Sequence, residues 1–325
     1  MPFVWRIVLW EIFLRSNPMI TILGPTASGK TALAVALARH YGVEIISADS
    51  RQVYDRLFLG VGKDLDIYET GGVSVPYHLI GHVSLEAHYD LFSFQQDFQT
   101  AKADILARGK HPLMCGGTGL YLEAVLLDYQ LRSVPENSEW RDRAGDMSDE
   151  ALLAMFLSLS VPHNQTDTET RTRLIRAIEI AMATGATSSK TWNPEDSIVF
   201  GLSWEPACLR ERILYRLDQR LKAGMIAEVS DLLATGVSAL RLDQLGLEYR
   251  YCLKYLSGEL SLEDMRHLLG REICRYAKRQ RTWFRRMEKR GVPIFWVSGE
   301  LSLEKQALYV RSKIKSPMRV SVPQG

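Results

Sequence analysis

Two rhythms of apolar and polar residues alternate along this chain. Short uninterrupted apolar runs occur at Met19–Leu23 and at residues 43–47, 112–115, 198–202 and 293–297. Their length and composition fit strands buried on both faces. The first runs into Gly24, the second leads to Asp49, and the third stops at Gly116-Gly117. Between the runs, apolar positions recur at helical spacing, first in the Ala- and Leu-rich stretch Lys30–Tyr41. Strands separated by helical stretches need crossover connections, which predicts an α/β fold with a parallel sheet flanked by helices. Residues 19–127 form the first part of that core. Residues 128–195 break the rhythm, with helical runs, many charges and no strand, and are expected to be a helical insertion domain. Residues 196–316 complete the core. They are helical from 205 to 290, with glycine breaks at Gly224, Gly236, Gly246 and Gly258, while 317–325 is a tail. Residues 271–286 contain neither Gly nor Pro and read as one helix.

Residues 1–18 form an N-terminal extension rich in Trp, Ile, Phe and Leu but interrupted by Arg6 and Glu11. It is too short and too charged to span a membrane, and it lacks the basic start and cleavage site of a signal peptide. An added helix, or translation from an upstream start with Met19 as the natural first residue, is expected. Four cysteines, Cys115, Cys208, Cys252 and Cys274, form no CxxC pair, which argues against a zinc module or a disulfide framework. Reduced thiols in a cytoplasmic, monomeric protein without a membrane partner are expected. The formal net charge of +2 does not by itself point to nucleic acid, so the distribution of charge matters more.

The chemistry begins at Gly24-Pro25-Thr26-Ala27-Ser28-Gly29-Lys30-Thr31, a full GxxxxGK[ST] match between a strand and a helix. The glycines let successive N–H groups turn inward on an anion, and the following helix adds its positive end. Lys30 brings a mobile charge to a diphosphate, and the Thr31 hydroxyl is a candidate Mg²⁺ ligand. Nucleotides such as ATP are the usual ligand, but any diphosphate fits the same cradle. The next strand delivers Asp49 to the carboxyl edge of the sheet, where open α/β sheets place ligands. A carboxylate there can hold metal-bound water, as in an ATPase, or accept a proton from a substrate amine.

Charge is concentrated near the C-terminus. In residues 271–290, Arg271, Arg275, Lys278, Arg279, Arg281, Arg285, Arg286, Lys289 and Arg290 are opposed only by Glu272 and Glu288. Tyr276, Trp283 and Phe284 interleave with them. Such a helix can hold phosphates, with Arg279 and Arg285 as candidate RNA contacts, while the aromatics are expected in the core.

GPTASGKT followed by Ala48-Asp49-Ser50-Arg51-Gln52-Val53-Tyr54 resembles the start of the tRNA dimethylallyltransferase family. Val75-Pro76-Tyr77-His78-Leu79-Ile80, Gly116-Gly117-Thr118-Gly119-Leu120-Tyr121-Leu122 and Tyr276-Ala277-Lys278-Arg279-Gln280-Arg281-Thr282-Trp283-Phe284-Arg285 agree in order, so the resemblance covers residues 19–297. It implies a P-loop core with a helical insertion. It also implies prenyl transfer from dimethylallyl diphosphate to the amine of adenosine 37 in the tRNA anticodon stem-loop, with Mg²⁺. By that resemblance Asp49 is the general base, and Thr26, Lys30 and Thr31 hold the diphosphate and metal. Ser50, Arg51 and Gln52 line the tRNA side, Thr118 contacts the nucleotide, and Arg141 contacts the RNA. His78 lies beside the substrate or is a packed loop histidine. The stretch Thr172-Arg173-Leu174-Ile175-Arg176 is similar to a family segment that lies against tRNA, although Arg173 or Arg176 can instead pair with Glu169 or Glu179. Of Arg212 and Arg216, the latter is expected to bind the departing diphosphate, with pairing to Glu211 or Asp218 as the alternative. One departure stands out: the family's IGY-type motif reads Leu245-Gly246-Leu247-Glu248-Tyr249 here. Competing readings are a P-loop kinase or ATPase, a prenyltransferase of free adenylate, and a noncatalytic RNA-binding protein.

Overall fold

The computed structural model describes residues 18–69, 72, 74–131, 133–159, 170–184 and 196–315. The expected tail and all but residue 18 of the N-terminal extension lie outside the described residues. The chain opens with β1 (Met19–Leu23), α1 (Lys30–Tyr41), β2 (Glu44–Ala48), a single turn α2 (Asp66–Glu69), β3 (Tyr77–His78), α3 (Leu91–Ala107), β4 (Pro112–Gly116) and α4 (Gly119–Leu126). Then come α5 (Ser138–Gly145), α6 (Asp149–Leu159) and α7 (Arg171–Thr184). The remainder is β5 (Ser197–Ser203), α8 (Pro206–Lys222), α9 (Met225–Ala234), α10 (Ala239–Leu245), α11 (Leu247–Leu256), α12 (Leu262–Lys289), β6 (Ile294–Ser298) and α13 (Leu303–Lys315).

The strands form one parallel sheet in the order β3-β2-β4-β1-β5-β6. β1 is central, with Ile20 beside Leu113 on one side and Ile198 on the other. Every residue of β1, β2 and β4 is buried, which explains their continuous apolar runs. Leu33 and Leu37 of α1 pack with Val310 and Ile314 of α13 in one core with the sheet. β3 was not expected from the apolar pattern. It has only two half-buried residues at the sheet edge, so no periodicity announces it.

A second core gathers α8 to α12 around Tyr249, Met265 and Leu269, together with Val53, Tyr54 and Leu57 after β2. α12 starts nine residues before the expected position, because Ser261 caps it by accepting from the Asp264 N–H (3.1 Å). Gly270 sits inside it as an approach point between helices. A Cβ there would stand 2.7 Å from Leu214 Cδ2 of α8.

The chain divides into two compact units, the second being residues 127–191. The core of that unit is Trp140, Ala144, Leu152, Phe156, Leu174 and Ile178. Buried within it, the Glu179 carboxylate accepts from Arg141 (3.2 Å), from Arg176 and from the Asn137 N–H. No described helix is long and apolar enough to cross a membrane. All four cysteines are free thiols.

Candidate active site

The phosphate loop joins β1 to α1, the context its motif requires. Ala27 and Gly29 take the left-handed conformation (φ 62° and 89°), so the loop curls, and no side chain caps the first turn of α1. The loop carbonyls are held on the outside. Arg212 Nε donates to Ala27 O (3.0 Å), and Trp204 Nε1 donates to Ser28 O (2.9 Å) while Arg212 stacks on its ring. The N–H groups of the first turn of α1 are thereby left for an anion. Ser28 Oγ is buried without a hydrogen-bond partner in this cradle, as a group that receives a phosphoryl oxygen would be. A Cβ at Gly24 would stand 2.6 Å from it, so the glycine is needed there.

Asp49 directly follows β2 at the same sheet edge. Its Oδ1 accepts from the N–H groups of Arg51 (3.0 Å) and Gln52 (3.4 Å), which closes a tight turn. Thr118, after β4, fixes the same segment: its Oγ1 accepts from the Ser50 N–H (3.0 Å) and its N–H donates to Ala48 O (3.2 Å). Ser50 is thus tied to Thr118 through both its N–H and its hydroxyl. The Gln52 amide donates to Gly62 O (2.8 Å), pinning the following loop. Arg51 stays exposed.

One polar cleft brings together Thr26, Lys30, Thr31, Asp49, Arg51, Gln52, Arg216, Arg220 and Glu248. Burial pushes the Lys30 amine below its ordinary value, and the Asp49 charge opposes that shift. Arg216 donates to Thr26 Oγ1; burial, then the neighbouring Arg220 charge, pushes its guanidinium down to about 10. This separates the two candidate arginines of α8. Arg216 faces the cleft and Arg212 braces the loop from outside, while Asp218 pairs with Arg266 instead (2.5 Å). The Thr31 hydroxyl and Asp49 carboxylate are hard oxygen donors beside a phosphate cradle. That donor set fits Mg²⁺, which is commonly held by one or two protein oxygens plus substrate phosphates. Among the described residues no cluster of three His, Cys, Asp or Glu side chains forms a separate metal site.

Sequence reasoning gave no role to Gln280. Its buried amide accepts from the Thr26 N–H (2.8 Å) and donates to Gly117 O (2.8 Å), linking α12 to both glycine motifs. One turn earlier, Tyr276 is 36% exposed. That exposure places the ring at the surface rather than in the core, although desolvation of its hydroxyl, then the Asp49 charge, raises its pKa. Trp283 lies under Gly119, where a Cβ would stand 2.4 Å from the indole, and Phe284 is fully buried.

Several expected contacts lie elsewhere. His78 is not beside the cleft. Its Nε2 is 2.7 Å from Glu44 Oε2, at the opposite end of β2 from Asp49, in a cluster with Arg108. In the second unit Leu174 is 5% exposed within the small core, which corrects its reading as an RNA contact. The Ile175 carbonyl accepts from Trp140 Nε1 (3.1 Å), and Arg141 and Arg176 are committed to Glu179. Thr172 and Arg173 are exposed on α7. On α12, Arg279 and Arg285 are exposed, but Arg286 (2.6 Å) and Arg290 (2.5 Å) bind the fully buried Glu123. Part of the basic cluster is therefore structural.

A phosphate loop at the carboxyl edge of a parallel sheet, with a carboxylate from the next strand beside it, defines a P-loop α/β protein built around a multiply charged anion. Comparison with known proteins narrows the class. The profile of the IPP transferase family matches residues 52–287, and that of isopentenyl transferases matches residues 18–70. The tRNA dimethylallyltransferase 1 of Parabacteroides distasonis is 44% identical over 309 residues, covering 94% of this chain and 98% of its own. The tRNA dimethylallyltransferase 2 of Trichlorobacter lovleyi is 49% identical over 285 residues, 86% of this chain and 92% of its own. Among solved structures, the tRNA isopentenylpyrophosphate transferase of Bacillus halodurans matches with a TM-score of 0.67 at 30% identity, over 91% of this chain and 95% of that one. The chain belongs to the IPP transferase family.

Proposed function

We propose that this protein transfers a dimethylallyl group from dimethylallyl diphosphate to the N6 amine of adenosine 37 in the tRNA anticodon loop, releasing diphosphate. The observation that carries the reading is that Asp49 lines one cleft together with a phosphate cradle made by Lys30, Thr31, Thr26 and Arg216. A nucleophile brought to Asp49 meets an electrophile whose leaving group is held by cations.

On this reading the diphosphate lies against the N–H groups of the loop and α1, with Ser28 Oγ, Lys30 and Arg216 on its oxygens. Thr26 orients Arg216 through its hydroxyl. Thr31 would hold Mg²⁺, which when bound would neutralise charge on the leaving diphosphate. The target adenine leaves its stack to enter the cleft, since a stacked base hides its amine. Asp49 Oδ1 is engaged by two backbone N–H groups, so Oδ2 is the atom that accepts the amine proton. The exposed ring of Tyr276, whose hydroxyl feels the Asp49 charge, offers a face against which the base can lie. Exposed Arg279 and Arg285 on α12 hold RNA phosphates, and in the second unit Arg173 and Thr172 present further contacts.

The test is nucleoside analysis of tRNA after incubation with dimethylallyl diphosphate and Mg²⁺. The reading expects one prenylated adenosine, at position 37. Prenylation at another position, or none, would overturn it.

A further inference from the structure

Arg220 presents a problem that the roles above do not solve. It lies four residues after Arg216 on α8, so both guanidiniums share one helix face, and both line the cleft with Lys30 and Thr31. Arg220 is 9% exposed. Its nearest carboxylate oxygen, on the half-exposed Asp64, is 3.8 Å away, well beyond the roughly 2.7–2.9 Å of a charge-assisted hydrogen bond. Glu248 lies in the same wall, directly after Leu245-Gly246-Leu247, which stands in place of the IGY-type motif. Burial raises its pKa, against the charges of Arg220 and Arg216. Among the described residues, no ion pair within 4.0 Å joins Glu248 to either arginine. Arg216 is half-buried and donates to the Thr26 hydroxyl, and beside it the buried Arg220 has no carboxylate within hydrogen-bonding distance among the described residues, which is a costly place for two like charges. Such an arrangement fits a site that binds an anion with at least two negative charges.

The backbone frames Arg220 as well. Gly62 is left-handed (φ 66°), and a Cβ on it would stand 2.0 Å from Arg220 Nη2. The glycine thus lets the loop close over the guanidinium. Four residues of α8 rise about 6 Å, so the two forks are offset along the helix and suit two adjacent phosphoryl groups.

We propose that Arg220 is a second diphosphate-binding guanidinium, forming with Arg216 a two-arginine clamp whose internal counter-charge is Glu248. This rests on the reading of the cleft as the donor site. The clamp binds the prenyl donor through its diphosphate and retains diphosphate after transfer. Glu248 opposes that retention by repelling the anion.

The test is titration calorimetry of the full chain with inorganic diphosphate in the presence of Mg²⁺, alongside tRNA filter binding. Arg220→Met keeps the bulk and removes the charge and fork. It should weaken diphosphate binding about ten- to a hundredfold, as expected for loss of charge-assisted hydrogen bonds, and leave tRNA affinity within about twofold. Arg220→Lys should recover part of the loss. A role confined to supporting the loop at Gly62 would instead leave diphosphate affinity within about twofold of the parent, which would overturn the proposal. Glu248→Gln serves if Arg220→Met does not fold. It should tighten diphosphate binding a few-fold, and unchanged or weaker binding would count against the clamp. A parent protein that binds no diphosphate and prenylates no tRNA would sink the donor-site reading and this inference together. A parent that binds diphosphate as well as Arg220→Met does would sink the inference alone.

Discussion

Gln280→Leu is the most informative single substitution. The amide is 6% exposed and makes two hydrogen bonds of 2.8 Å, from the Thr26 N–H and to Gly117 O. Leucine fills nearly the same space but leaves one donor and one acceptor buried and unpaired. Each unmet group costs about 1–3 kcal/mol, and partial relaxation lowers the sum, so a loss of about 2–4 kcal/mol in stability is expected. Urea unfolding with linear extrapolation measures it. The catalytic consequence follows from the same contacts. Thr26 is held by Gln280 through its N–H and meets Arg216 through its hydroxyl, so a loosened Thr26 misplaces Arg216 at the leaving group. Turnover at saturating substrates should fall about tenfold or more, whereas tRNA affinity, set by exposed arginines, should not change. A variant within about 0.5 kcal/mol of the parent and with normal turnover would refute this link between α12 and the phosphate loop.

Other expectations follow from the same geometry. Asp49→Asn keeps an oxygen to accept from Arg51 and Gln52, so the turn should survive; steady-state assays should show turnover down at least a hundredfold, and filter binding should show normal tRNA affinity. Arg279→Ala or Arg285→Ala should weaken tRNA binding and lower the slope of log K against log salt by about one each, and an unchanged slope would assign that face to solvent. Glu44 is held below its ordinary 4.5, chiefly by Arg108, with His78 adding to the shift. A depressed carboxylate pKa contributes stability that is present above pH about 4.5 and is lost as pH falls through the folded-state value. Acid unfolding of Glu44→Gln should lack that component, and identical acid profiles would contradict the pairing. Glu123→Ala strands Arg286 and Arg290 beside an emptied buried site and should cost about 3–5 kcal/mol by chemical denaturation.

The phosphate loop, the strand before it and the helix after it were legible in the sequence because each depends on neighbours within about a dozen residues. The same locality made Asp49 readable as a residue at the sheet edge. What the sequence hid is long-range or short in extent. Gln280 and Thr26 are 254 positions apart, and no periodicity connects them. Glu123 turns two members of a basic run into structural arginines, which composition alone could not separate from RNA contacts. The start of α12 at Leu262 was not legible, because a glycine usually weakens a helix, yet Gly270 lies within it where Leu214 packs. Arg220 did carry a signal, since its spacing from Arg216 places both on one face, but only the burial of Arg220 shows its weight.

The central claim is that one cleft joins a prenyl diphosphate to an RNA adenine. Radiolabelled dimethylallyl diphosphate, Mg²⁺ and tRNA with adenosines on the 3′ side of the anticodon test it, with free AMP and ATP in parallel reactions. Label is expected on tRNA and none on AMP. Label on AMP alone, or ATP hydrolysis with neither acceptor labelled, would contradict it.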